Sequence, residues 1–167
     1  MPRGCRSNVI GALAGRGAAA LLALVPPALA QTSGTDATGL WLVKDRHGVI
    51  AIERCAGGAL CGRLVWFVPG PEDIGKPAVD GHNPDPALRG RALCGLVMMG
   101  GFKPAGPREW EDGWIYDPES GKTYSARMRL ESDGRLRLRG FVLIPLFGES
   151  QVWTRSGPVT PCSPPAP

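Results

Sequence analysis

Histidine is scarce in this chain, two residues in 167, and no Gly-x-Ser-x-Gly, His-Glu-x-x-His or Cys-x-x-Cys pattern occurs. These absences remove the common nucleophile elbow, the zincin helix and the redox dithiol, and no Cys/His set stands at structural zinc spacing. No catalytic residue, metal or cofactor is therefore expected. Uninterrupted helix-forming stretches are lacking too. With 24 Gly and 17 Pro, the longest segment after residue 30 free of both runs only from Lys122 to Asp133. Within it Tyr124 to Leu130 alternates with period two, which excludes long helices. No later segment approaches the roughly 18 apolar residues of a membrane-spanning helix. Five Trp, four Phe and two Tyr, in turn, exclude a disordered chain.

Charge of one sign is also missing once its location is considered. The formal net charge is +4, but Arg3, Arg6 and Arg16 precede an apolar run from Gly17 to Val25, a Pro26-Pro27 break and the sequence Ala28-Leu29-Ala30. That order reads as a secretory signal peptide over 1–30 with cleavage before Gln31. Setting those arginines aside leaves a net charge of +1, too little for nucleic-acid binding. The expected organisation is a flexible segment over 31–38, one domain over 39–156 and a Pro-rich tail over 157–167. An exported chain, periplasmic or secreted, with no transmembrane segment after cleavage follows.

Export changes the meaning of cysteine. Cys55, Cys61, Cys94 and Cys162 form an even set in an oxidising compartment, where disulfides persist. The Gly57-Gly58 turn brings Cys55 and Cys61 together, which leaves Cys94 for Cys162 and fastens the tail to the body.

About eight strands are expected: Leu40 to Lys44, Val49 to Arg54, Leu60 to Val68, Leu93 to Phe102, Glu109 to Tyr116, Thr123 to Glu131, Arg135 to Leu143 and Ser150 to Arg155. Short turns rich in Gly, Asp and Ser join most of them as antiparallel neighbours. One connection, Pro69 to Arg91, carries five prolines and is far longer than a hairpin needs. Eight short strands in a small domain hide their edges best by closing, so the expected fold is an all-β, small antiparallel barrel with one long Pro-rich loop. Trp41, Trp66, Met98, Phe102, Trp114, Tyr116, Tyr124, Met128, Phe141 and Trp153 are available to line or fill it.

Gly39-Leu-Trp41 at the first strand and Trp153-Thr-Arg155 at the last are similar to the Gly-x-Trp and terminal Arg of lipocalin-like barrels. Asn83-Pro-Asp-Pro-Ala-Leu-Arg-Gly-Arg91, Gly101-Phe102, Trp110, Tyr116-Asp-Pro118, Gly121-Lys-Thr-Tyr124 and Gln151-Val-Trp-Thr-Arg155, with Cys55 and Leu60-Cys-Gly62, extend the likeness. From about Gly39 to Arg155 the chain resembles the exported bacterial proteins of the DUF2147 family, whose function is unknown. The resemblance implies an exported small β domain and transfers no catalytic residue. Leu143 to Phe147 is more apolar than the family pattern.

Two regions concentrate polar chemistry. In the loop from Asp80 to Arg91, Asn83 and Asp85 can cap turns while Arg89 pairs with Asp85. Alternatively, Arg89 and Arg91 fork an anionic group at the barrel mouth, or Asp80, Asn83 and Asp85 hold a hard cation. Around Ser132-Asp-Gly134, a hairpin register pairs Leu130 with Leu136, Arg129 with Arg137 and Arg127 with Arg139. Four arginines facing one another are neutralised by Glu109 and Glu111, or they meet an anionic envelope surface. The leading expectation is a non-enzymatic carrier of a small apolar or amphiphilic molecule, lined by Trp41, Trp66, Phe102, Trp114, Tyr116, Tyr124, Phe141 and Trp153 with Arg89 and Arg91 at its mouth. The alternative is an envelope module with a filled barrel that uses Arg127, Arg129, Arg137 and Arg139. An interior cavity of at least about 300 Å³ favours the carrier.

Overall fold

A computed structural model describes residues 36–70 and 74–162; the leader assigned to 1–30 lies outside the described residues. Eight strands follow one another: β1 (Gly39–Leu42), β2 (Gly48–Arg54), β3 (Leu60–Phe67), β4 (Val97–Gly106), β5 (Glu109–Asp117), β6 (Lys122–Leu130), β7 (Leu136–Phe141) and β8 (Gly148–Arg155). Each pairs antiparallel with the next, and β1 pairs with β8, so the sheet closes as a barrel. Short 3₁₀ turns at Ala56–Gly58 and Pro86–Leu88 are the helical pieces among the described residues, none of which is long and apolar enough to cross a membrane.

Strand limits differ from expectation by a few residues, most at β4. Leu93 to Leu96 remain in the loop, where Gly95 takes a positive φ and Leu93 bonds back to Ala78. The β6–β7 hairpin has the anticipated register: Leu130 faces Leu136, Arg129 faces Arg137 and Arg127 faces Arg139. Period two then turns Ala126, Met128, Leu130, Leu136 and Leu138 inward and the arginines outward.

One end of the barrel is packed solid. Trp41, Leu60, Phe102, Leu136 and Trp153 are fully or almost fully buried there, with Trp110, Met128 and Leu130 against them. Of the segment expected to be flexible, Asp36, Ala37 and Thr38 are tied into this end. Ala37 is buried and its carbonyl accepts the Trp41 indole Nε1 at 2.7 Å. Arg155 lies over the Trp41 ring, 4.0 Å from its centroid, and donates to the carbonyls of Thr38 and Asp36. Both bridges are formed, Cys55 to Cys61 and Cys94 to Cys162. The second holds the tail, and the Cys162 amide donates to the Val65 carbonyl in β3 at 2.7 Å.

The described second half of the long connection is held against the barrel wall. Its Asp80 to Arg91 part is pinned to the outer side of β5, and the turn before β6 supports it. There a Cβ on Gly121 would stand 2.0 Å from the His82 carbonyl oxygen, and the φ of Gly121 is +68°. Only glycine meets both demands.

Candidate ligand site at the open end of the barrel

Inward positions thin out toward the end where β5 and β7 finish. Beyond Leu138 and Ala126 the inward residues are Ile115, Tyr124, Gly140 and Gln151, and they leave a pocket of about 260 Å³. Phe141, Val142, Phe147 and Gly148 form its rim on the β7–β8 side, with Asp117 and Glu149 as its charged members. Gly140 lines the pocket without a side chain, where a Cβ would meet Ile115 at 3.6 Å and Tyr124 at 3.7 Å. Asp117 is engaged in its own turn, accepting from the Glu119 amide at 3.0 Å and the Ser120 hydroxyl at 2.5 Å. Glu149 lies 3.9 Å from Lys44, and its side chain is largely exposed. The pocket is therefore a shallow apolar cup with acidic groups at the edge.

The aromatic residues singled out in the sequence divide into three groups. Trp41, Phe102 and Trp153 are interior but belong to the packed end, whereas Tyr124 and Phe141 border the pocket. Trp66, Trp114 and Tyr116 do not line it. Trp66 pairs with Val49 beside a bulge, Trp114 lies on the outer face against Gly100, and Tyr116 points outward beneath the long loop. The bulge at Asp112, whose φ is +59°, shifts the parity of β5, so that Gly113 and Ile115 turn inward and Trp114 and Tyr116 outward. Ile115, Leu138 and Gly140 were missed; Leu138 stands between Arg137 and Arg139, an alternation visible in the sequence, whereas Ile115 lies between Trp114 and Tyr116 and turns inward only because of the bulge.

Arg89 and Arg91 do not line the cup either; they lie on the outer face of β5 with the loop. Asp80, with no exposed surface, accepts the Tyr116 hydroxyl at 2.6 Å on Oδ1 and the Asn83 amide at 2.7 Å on Oδ2. Arg91 donates to the same Oδ2 through Nε at 2.8 Å and Nη2 at 2.7 Å, and its guanidinium stands 5.5 Å from the Tyr116 ring centroid. Burial alone would raise the Asp80 pKa, but these donors together hold it below its ordinary value. Burial, then the Asp80 carboxylate, raises the Tyr116 pKa and keeps its hydroxyl protonated as a donor. Asp85 does not pair with Arg89. It caps the short 3₁₀ turn through the Ala87 amide, while Arg89 Nε reaches the Asn83 carbonyl at 2.8 Å. Asp80, Asn83 and Arg91 thus form a neutralised lock for the loop, with the carboxylate already saturated by donors.

The arginine stripe is half neutralised. Arg129 lies 3.4 Å from Glu109, and Arg137 donates to Glu131 at 2.7 Å. Among the described residues Glu111, Arg127 and Arg139 form no ion pair. A groove of about 270 Å³ runs between the two ends of the stripe.

An eight-stranded up-and-down barrel, packed under an Arg-covered Trp at one end and cupped at the other, has a lipocalin-like architecture. The chain belongs to the family described as "Uncharacterized protein conserved in bacteria (DUF2147)", which matches residues 39–155. Among solved structures it is similar to one titled "Protein HP1028 from the human pathogen Helicobacter pylori belongs to the lipocalin family". That likeness has 23% identity and a TM-score of 0.64, and covers 74% of this chain and 84% of the other. No curated protein matches the chain.

Proposed function

We propose that this protein is an exported, non-enzymatic barrel that takes the apolar part of a small amphiphilic molecule into its open end. The supporting observation is the cup of about 260 Å³ lined by Ile115, Tyr124, Leu138 and Phe147. It falls short of the roughly 300 Å³ that a fully enclosing site needs, so the bound part is a ring or a short acyl segment with the remainder outside. The acidic edge favours a ligand whose exposed end is neutral or cationic. Two disulfides agree with an oxidising compartment. N-terminal sequencing of the exported chain is expected to begin at or near Gln31; an intact Met1 would remove the export half of the reading.

The ligand half is tested by native mass spectrometry of protein purified from its own envelope, comparing wild type with Gly140→Leu. A Cβ at Gly140 makes only ordinary contacts, at 3.6 Å from Ile115 and 3.7 Å from Tyr124, so the larger side chain occupies the cup without breaking the barrel. The wild type is expected to retain a small molecule and the variant to lose it. Equal retention would move the ligand elsewhere, and none in either would return the protein to the alternative, an envelope module acting through its outer surface. The unpaired charges of Arg127 and Arg139 support that second reading.

A further inference from the structure

The β7–β8 connection is a short run of large apolar residues turned toward solvent: Val142 is 58% exposed, Leu143 91%, Ile144 48%, Leu146 75% and Phe147 68%. Isolated exposed leucines are ordinary, but five such residues on one tip are not. Leu143, the most exposed of them, also has a φ of +64°, a conformation uncommon for a bulky side chain.

The tip has a second property, which concerns its backbone. The Val142 amide donates to the Phe147 carbonyl, Ile144 to Val142 and Phe147 to Ile144. Arg139, from the outer face of β7, serves two further carbonyls: Nε donates to that of Pro145 at 2.6 Å and Nη2 to that of Leu146 at 3.2 Å. Its Nη1 donates to the Ser150 hydroxyl at 3.0 Å. Three groups at the apex have no such partner, the Leu143 amide and carbonyl and the Leu146 amide, and Pro145 has no amide to satisfy. Water must serve those three groups, so the tip suits the interfacial layer, where water is still present, and not the hydrocarbon core. All three partners of Arg139 are neutral, so on the outer side the tip is bordered by a cation without an ion pair, while Asp117 and Glu149 border it on the mouth side. Arg127, directly opposite it across the hairpin, is not ion-paired either.

We infer that the β7–β8 tip is a membrane-docking element: Leu143, Leu146 and Phe147 enter the interfacial layer of an anionic phospholipid bilayer while Arg127 and Arg139 face its headgroups. Apolar insertion and basic attraction together are the two signals that stable peripheral attachment requires. The inference stands whether or not the cup holds a ligand. If it does, docking brings the mouth to the layer from which an amphiphile is drawn.

Sedimentation with vesicles tests it, using protein purified from the exporting host with its N-terminus verified by mass, so that a retained leader is not mistaken for the tip. Wild type is expected to bind vesicles of phosphatidylcholine containing phosphatidylglycerol, and to bind pure phosphatidylcholine more weakly. The double variant Leu143→Asn, Leu146→Ser changes only exposed side chains, and Asn accepts the positive φ. It is expected to lose about tenfold or more of the binding. Arg127→Gln is expected to lose about fivefold on the anionic vesicles alone. A wild type that stays in the supernatant, or a tip variant that sediments as wild type does, overturns the proposal. An Arg127→Gln chain indistinguishable from wild type overturns its electrostatic half. A tip that crosslinks to a protein while wild type ignores both vesicles identifies a protein interface instead.

Discussion

Replacing Asp80 by Ala is expected to destabilise the domain by about 3–5 kcal/mol, since it removes one member of a buried charge network and strands the others. The carboxylate has no exposed surface and accepts from Tyr116, Asn83 and Arg91. Without it the Tyr116 hydroxyl and the Asn83 amide lose their shared acceptor, and Arg91 is left half-buried beside an aromatic ring. Asp80→Asn should recover only part of the loss, because an amide offers one acceptor oxygen and turns its NH₂ toward groups that are themselves donors. The pH dependence has a definite sign. The folded-state pKa of Asp80 is depressed, so its contribution is fully present above the ordinary carboxylate pKa and is lost as pH falls through the lower folded value. Urea unfolding from pH 7 down to pH 2 should show wild-type stability declining below about pH 4. In Asp80→Asn that part of the decline should be absent. A variant with the wild-type midpoint and acid limb would mean that the loop is held by something other than this network.

The fold was legible in the sequence for a physical reason. Glycine and proline every few residues left no room for helices, and period-two alternation survived in β6 and β7, where Met128, Leu130, Leu136 and Leu138 face the core. The hairpin register followed from Asp133 and Gly134: the Asp133 carboxylate accepts the Arg135 amide, and Gly134 takes a positive φ. The cysteine pairs followed from an even count and one local turn. The site was far less legible. A single bulge at Asp112 exchanged the two faces of β5, and a period-two reading that does not locate the bulge assigns Trp114 and Tyr116 to the wrong side. The loop chemistry failed differently. Residue types alone placed Asp85 with Arg89, whereas the partners that formed are Asp80 with Arg91 and with Tyr116 on β5, a contact over 36 positions of sequence. Local spacing carries no information about such a pairing. The apolar segment Leu143 to Phe147 was visible as a departure from the family pattern, but nothing in its spacing told that Arg139 would fold back onto the Pro145 and Leu146 carbonyls.

The clasp between Trp41 and Arg155 joins the first and last strands of the barrel, and Arg155→Ala is expected to lower stability by roughly 1–3 kcal/mol. β1 and β8 share only two register pairs, Trp41 with Arg155 and Leu42 with Thr154, so closure at this seam leans on side chains. The guanidinium covers the Trp41 ring while two of its nitrogens satisfy the Thr38 and Asp36 carbonyls, and the indole in turn donates to Ala37. Gly39 makes the approach feasible, since a Cβ there would stand 2.8 Å from Arg155 Nη1 and its φ is +116°. Removing the arginine uncovers the ring, leaves two carbonyls without their donors and frees the segment before β1. Lysine should rescue little, because a point charge can neither lie flat on the ring nor donate in a fork to two carbonyls at once. Denaturant midpoints for Ala and Lys variants separate this from an ordinary strand-end charge, for which both changes would stay within about 0.5 kcal/mol of wild type. Hydrogen exchange adds the location. If the clasp closes the barrel, the amides of Trp41 and Leu42 lose protection in Arg155→Ala while those of β6 and β7 keep theirs, and a uniform change across all strands would show that the seam does not depend on this contact.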